Sequence, residues 1–244
     1  MQPKKRTMFD QELLVTSATA KELVGTVRED IKGNKYVYAK AGATALAAGK
    51  MTVGAAIDSD VMDQAGTAYG IGSTNLTLTI TSTTIAEDYF KGGSLQINDA
   101  AGEGHKYDIV SSTAVAADTE ISITLEDGLR VAMTTDTKFT LVHSRFMGTV
   151  ISAVEESVPT GVPLVAVTAD YYYWSQVAGD AICLITGTPA TGSDLTLGST
   201  AGSLTGVSLT LETTVSLAYQ PFVGIMGLTA GVTTDYKPVY LNIM

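Results

Sequence analysis

Apolar residues recur at every second position in several stretches of this chain, with Thr or Ser between them and Gly-containing breaks close by. Leu76-Thr77-Leu78-Thr79-Ile80 is the clearest case. Successive side chains of a strand point to opposite faces, so Leu76, Leu78 and Ile80 share a buried face. Thr suits the other face because β-branching favours extended backbone. Runs this short, punctuated this often, leave little room for an amphipathic helix. The pattern predicts an all-β protein.

Composition narrows the choice further. The chain has 244 residues, 24 of them Gly, and only 16% are charged. An ordinary globular protein carries roughly 25%. Scarce charge beside many glycines predicts short strands, many turns and surface covered by neighbours. The net charge of -10 argues against nucleic-acid binding, which needs Lys and Arg to displace counterions. No apolar run reaches the roughly 18 residues of a membrane helix, so no membrane partner is expected. No apolar stretch follows Lys4-Lys5-Arg6, so a secretory signal is not expected. The single cysteine, Cys183, excludes an internal disulfide framework.

Organisation follows from pattern and turn chemistry. Residues 1–20 read as an arm with a basic cluster, Lys4 to Arg6, then Phe9, Leu13 and Leu14. Its apolar residues predict that something orders it, either its own domain or a neighbour. Leu23–Arg28 and Lys35–Lys40 read as a hairpin around Lys32-Gly33-Asn34. Ala41–Lys50 reads as a loop and Met51–Ile57 as a strand. Between Gly72 and Met147 five strands are expected: Leu76–Ile80, Ser94–Asp99, His105–Val110, Glu120–Leu125 and Lys138–His143. Later come Leu164–Val167, Tyr171–Val177, a turn at Ala178-Gly179-Asp180, and Ala181–Ile185. The last strand is Tyr236–Ile243, placed at a sheet edge by Pro238. Residues 21–72 and 147–244 share a Gly-rich style. They are expected to form one domain, with 73–146 inserted as a small β-barrel or β-sandwich. An inserted domain needs its ends close together, which a closed β unit permits.

The residue types that carry chemistry are sparse. Ala41 to Thr52 departs from a phosphate loop, with Thr44 five residues before Gly49 and Met51 after Lys50. Gly198, Gly202 and Gly206 lack the βαβ context of a dinucleotide site. Asp58-Ser59-Asp60-Val61-Met62-Asp63 lacks the glycine and distal Glu of a calcium loop and reads as a solvated acidic loop. His105 and His143 sit in separate strands without zinc-ligand spacing. Cys183, between Ile182 and Leu184, reads as a buried inert thiol. Glu155 and Glu156 would point to opposite faces of a strand. Asn75-Leu76-Thr77 matches a glycosylation sequon, idle without secretion. No catalytic set is assembled. Neither an enzyme, a cofactor nor a metal site is expected.

Tyr171–Trp174 is the exception to this sparseness. Tyr172 and Trp174 would share one face, and Tyr171 and Tyr173 the other. Such rings in a strand more often pack than bind sugar.

Three stretches carry a resemblance to a known family. They are Val24–Asp30 continuing through Tyr36–Gly42 to Lys50, Gly161–Gly179, and Val223–Leu228 running to the Tyr236–Ile243 tail. In these the chain resembles the capsid decoration, or cement, proteins of tailed bacteriophages. The resemblance implies a β-rich, non-catalytic capsid-binding domain, clustered as a homo-oligomer, with a trimer favoured. It implies a virion protein, made in the host cytoplasm, on the outer surface of the head. Its partner would be the major capsid protein. On that expectation Lys4, Lys5, Arg6, Phe9, Leu13 and Leu14 are capsid-contact candidates, and Tyr172, Trp174, Tyr236 and Tyr240 are candidates for oligomer or partner contacts. Rival readings are a carbohydrate- or receptor-binding virion module and a tail or baseplate component.

Overall fold

A computed structural model describes residues 9–153, 157–207 and 221–243. Its contacts divide the chain into two compact units. Unit one comprises Met1–Ala55 with Arg145–Met244, and unit two comprises Ala56–Ser144. Strands in chain order are β1 (Val27–Glu29), β2 (Lys35–Lys40) and β3 (Thr52–Val53) in unit one. Unit two holds β4 (Gln64–Ala65), β5 (Asn75–Ile85), β6 (Ser94–Asp99), β7 (Lys106–Ser112), β8 (Val115–Leu125) and β9 (Lys138–Val142). Unit one resumes with β10 (Val150–Ile151), β11 (Pro159–Pro163), β12 (Tyr172–Leu184), β13 (Asp194–Leu197), β14 (Leu204–Gly206), β15 (Gly224–Met226) and β16 (Tyr236–Asn242). A single short 3₁₀ turn, Ser59–Val61, is the only helical element among the described residues. The protein is all-β.

Unit two follows its sequence pattern closely. All five expected strands form, and β4 adds a sixth in the order β4-β9-β6-β7-β8-β5. Leu76, Leu78 and Ile80 of β5 are buried and Thr77 and Thr79 exposed, as the alternation requires. Ile121, Ile123, Phe139 and Leu141 join them in one core. The sheet curls into a nearly closed barrel. Across the gap Thr81 Oγ1 donates to Gln64 Oε1 of β4 at 3.4 Å. The Tyr69 hydroxyl caps the outer edge of β5, accepting from Thr77 N at 2.7 Å and donating to Thr77 O at 3.0 Å. Residues 56–72 belong with this unit rather than with the Gly-rich part: β4 pairs with β9, and Tyr69 bridges to Met133.

Unit one is built around β12, in a ten-stranded half-barrel sheet. The order runs β10-β3-β11-β12-β16-β15-β13-β14, with β2 also on β12 and β1 on β2. Its core gathers Met51, Val53, Val162, Cys183, Leu195, Val239 and Leu241.

Four local expectations are corrected here. The turn at Ala178-Gly179-Asp180 does not exist, because β12 runs unbroken through it. Gly179 takes φ 91°, and the register shifts between Gln176 and Ala178. The glycine therefore serves a bulge, not a reversal. The strand expected at Leu164–Val167 lies earlier, at Pro159–Pro163. Gly161, at φ 109°, lets β11 approach so closely that a Cβ there would sit 2.4 Å from Gln176 O. The strands expected at Leu23–Arg28 and Met51–Ile57 shrink to Val27–Glu29 and Thr52–Val53. Finally, β16 is interior rather than an edge, lying between β12 and β15. Pro238 is tolerated because its carbonyl accepts from Gly227 N at 3.0 Å. In an antiparallel strand a residue's N and C=O face the same flank. The missing N–H thus faces the side where β15 has already ended at Met226.

Candidate functional site

The arm docks on unit one through a buried carboxamide. Gln11 is only 3% exposed. Its Nε2 donates to Val15 O at 2.7 Å and to Tyr172 O at 3.2 Å. Its Oε1 accepts the Tyr38 hydroxyl at 2.6 Å. The backbone carbonyl of Gln11 accepts Trp174 Nε1 at 3.1 Å. A buried amide is stable only when its donors and acceptors are matched, and here the sheet supplies the match. Ser17 and Tyr172 exchange backbone bonds at 3.0 and 2.8 Å, which fixes the far end of the arm.

Around Gln11 the rings form a row. Trp174 lies opposite Tyr38 in the β12–β2 register, at 5.1 Å between centroids. Tyr172 stacks on Tyr38 at 5.9 Å and 10°. Phe9 meets Trp174 edge-on at 5.1 Å. Arg28 sits 5.1 Å from the Phe9 ring and 5.8 Å from that of Trp174, and Lys40 sits 5.7 Å from Tyr172. Cations thus cap both ends of the row. Burial pushes the Tyr38 phenol above its ordinary pKa. On the opposite face Tyr173 is buried, its hydroxyl 2.9 Å from Thr149 Oγ1; burial pushes its pKa up as well.

The hairpin turn locks to β12 through Asp30 and Asn34. Asp30 accepts from Lys32 N, Asn34 N, Asn34 Nδ2 and Tyr36 OH at 2.8 to 3.2 Å. Burial pushes its carboxyl up, but the hydrogen bonds from Asn34, Lys32 and Tyr36 prevail and its pKa is lowered. Asn34 Oδ1 in turn accepts Asp180 N at 2.9 Å.

Beside this lock lies a groove of about 630 Å³. Leu13, Leu14, Leu164, Ile182, Tyr236 and Pro238 are among the residues that line it, with Asp180 the one carboxylate. Tyr236 reaches it because Gly49 has no side chain: a Cβ there would lie 2.7 Å from the ring. The outward face of the sheet continues from it. Ile182 (56% exposed), Tyr236 (47%), Tyr240 (40%) and Ile225 (38%) are open to solvent.

The predicted residues therefore separate into three groups. Lys4, Lys5 and Arg6 lie outside the described residues, as does the Glu155-Glu156 pair. Phe9 and Trp174 face each other, and Trp174 is 1% exposed. Trp174 offers no surface to a partner while the arm covers it, and Tyr172 is half-buried in the same row. Leu13, Leu14 and Tyr236 come together at the groove, and Tyr240 lies on the open face. Gln11 and Asn34 were not anticipated. Asn34 carried the signal of a turn residue with a carboxamide; Gln11, flanked by Asp10 and Glu12, carried none.

Elsewhere, Asp58 accepts from Asp60 N at 3.0 Å and so caps the short 3₁₀ turn. His143 packs on Tyr89 at 5.2 Å. Among the described residues no three His, Cys, Asp or Glu side chains gather as metal ligands would. The described features define an all-β protein with an arm-sealed aromatic row and an open apolar groove. Compared with known proteins, the chain matches no family model, no curated protein and no solved structure.

Proposed function

We propose that the protein binds the outer surface of a phage head and cements adjacent capsomers against internal pressure. The observation that carries this reading is where the three family-like stretches go. They are distant in sequence, yet they contribute β1–β2, most of β11 with the first part of β12, and β15–β16; β2 and β11 pair with that part of β12, and β16 meets it at Ala178 and Gly179. The stretches that carry the resemblance thus lie together in one sheet of this chain. The groove and the apolar face beside it supply area for contact with the major capsid protein. A homotrimer engaging several coat subunits raises effective concentration, so individually modest contacts add up to firm retention.

The arm has a specific part in this reading. Residues 9–17 are committed to their own sheet, which leaves the basic cluster Lys4 to Arg6 ahead of a fixed anchor at Phe9. Charge reversal at Lys4, Lys5 and Arg6 is the sharper test of arm binding, because deleting residues 1–16 would also remove Gln11 from the sheet. The function itself is tested by co-sedimentation with mature and immature heads lacking the protein. Saturable binding to mature heads, with raised resistance to heat, is expected. Binding to neither form would overturn the reading.

A second reading, a carbohydrate- or receptor-binding module, draws on unit two. A groove of about 260 Å³ there is lined mostly by polar residues, among them Thr77, Ser111, Thr113, Ser122, Thr124, Glu87 and Asp88. No aromatic ring lines it, so it lacks the apolar platform that sugars favour. Glycan-array binding lost on Glu87→Gln would favour this reading over cementing.

A further inference from the structure

The outward face of unit one carries an ordered row of four side chains. Asp180 of β12 lies opposite Tyr240 of β16, Tyr240 opposite Ile225 of β15, and Ile225 opposite Asp194 of β13. Directly opposed residues in antiparallel strands project from the same face. Adjacent residues on these strands, Ala181, Val239, Leu241, Met226 and Leu195, are buried in the core, so the row points away from it. Two carboxylates therefore bracket two exposed apolar side chains. Three strand spacings separate the carboxylates, about 14 Å.

Neither carboxylate has an ion-pair partner among the described residues. Lys237, the cation nearest in sequence on β16, aligns with inward-facing Cys183 and pairs with Asp235 at 3.3 Å. It does not serve this row. An apolar centre between two carboxylates that make no ion pair among the described residues is complementary to an apolar side chain between two cations. A second copy of the same face fits badly, because it would bring carboxylates against carboxylates.

We propose that this face docks an extended protein segment running across the strands, with Lys or Arg at positions i and i+4 and an apolar residue at i+2. The spacing follows from the geometry. An extended chain advances about 3.3 Å per residue, so positions i and i+4 stand about 13 Å apart and project to the same side. The residue at i+2 falls midway, between Tyr240 and Ile225. The cations meet Asp180 and Asp194, and the segment lies flat over the sheet. The proposal stands apart from the head-binding reading, since it concerns the chemistry of a segment rather than the protein that carries it.

The test uses the full chain, isotope-labelled, titrated with the synthetic peptide Gly-Ser-Arg-Thr-Leu-Thr-Arg-Ser-Gly. Its control replaces both Arg residues by Glu. Saturable amide shifts confined to the neighbourhood of Asp180, Ile225, Tyr240 and Asp194 are expected, with none from the control. The double variant Asp180→Asn, Asp194→Asn should weaken binding at least tenfold, and salt should weaken wild-type binding more than the variant's. Tyr240 and Ile225 are 40% and 38% exposed, so the variants Tyr240→Ser and Ile225→Ser should still unfold cooperatively, at a somewhat lower thermal midpoint, while losing the shifts. No shifts at millimolar peptide, shifts centred elsewhere, or equal binding by the carboxamide variant would overturn the proposal.

Discussion

Trp174 is the sole tryptophan of the chain, which makes the seating of the arm directly measurable. Gln11→Ala removes the acceptor of the Tyr38 hydroxyl and the donor to Val15 and Tyr172. Leaving such groups unpaired costs about 1–3 kcal/mol. The variant is expected to lose about that much stability, and its Trp174 emission should move to the red with greater acrylamide quenching. Unchanged emission would show that the arm does not seal the row. Cys183 offers a second probe. Cys183 is fully buried and burial pushes its thiol up to about 12, so the reactive thiolate is scarce at pH 8. Reaction with a thiol reagent should be absent in the native protein and complete after denaturation. Asp30 sets a pH dependence. Its folded pKa lies below the ordinary 3.8, so its contribution to stability is full above that value. The contribution is lost as pH falls below 3.8 and through the lower folded value. Asp30→Asn should flatten the acid limb of a stability profile in that range and leave its shape near pH 7 unchanged. Cys183 was legible from its apolar neighbours. Gln11 was not, because nothing local indicates which distant hydroxyl and carbonyl will meet an amide.

Strands that bury one face and expose the other announce themselves. Most of those in unit two did so: β6 was legible to its ends, β5 and β8 from alternation of apolar residues with Thr or Ser, and β7 from alternation of apolar and charged residues. In contrast β9, buried at Phe139, Thr140 and Leu141, was legible from composition, and the two-residue β4 was not legible. The strands of unit one sit among buried neighbours on both sides over part of their length. Tyr173, Trp174, Ser175, Gln176 and Val177 are all buried, so alternation disappears there and Gly179 looks like a turn. Its true role gives an element-scale prediction. Gly179 adopts φ 91°, and a Cβ at that position would approach Asn34 Oδ1 to 2.2 Å and Asn34 Cα to 2.9 Å. The Asn34 carboxamide is held by Asp30 and by Asp180 N, so it cannot move away freely. Gly179→Ala therefore combines left-handed strain with a clash. A loss of about 2–3 kcal/mol is expected, read from the denaturant midpoint. Gly104→Ala is the control, with a similar φ of 79° and open space around it. It should lose clearly less. Equal losses would show that φ alone governs, and that the bulge does not depend on its contact with the hairpin turn.

Two units with separate cores raise the question of whether each folds alone. Unit one is interrupted in sequence between Ala55 and Arg145, but not far in space. A Cβ built on Gly54 would lie 3.0 Å from the Arg145 carbonyl oxygen. The chain thus leaves and re-enters unit one at nearly one point, and a short connection can replace what lies between. Unit two has the complementary property. Its core of Leu78, Leu95, Ile121, Phe139 and their neighbours is complete within 56–144, and an unit of that length has enough apolar side chains for independent stability. Joining Ala55 to Arg145 through a short Gly-Ser linker should give a folded protein that retains buried Trp174 emission, since Phe9, Gln11, Tyr38 and Trp174 all belong to unit one. Residues 56–144 expressed alone should show a cooperative transition and dispersed amide signals. Leu78→Ala in the full chain, a buried large-to-small change costing about 2–5 kcal/mol, should then lower the unit-two transition. The midpoint followed by Trp174 should stay where it is. If Trp174 emission shifts in the linked variant, or if Leu78→Ala moves both transitions together, the units are energetically one body.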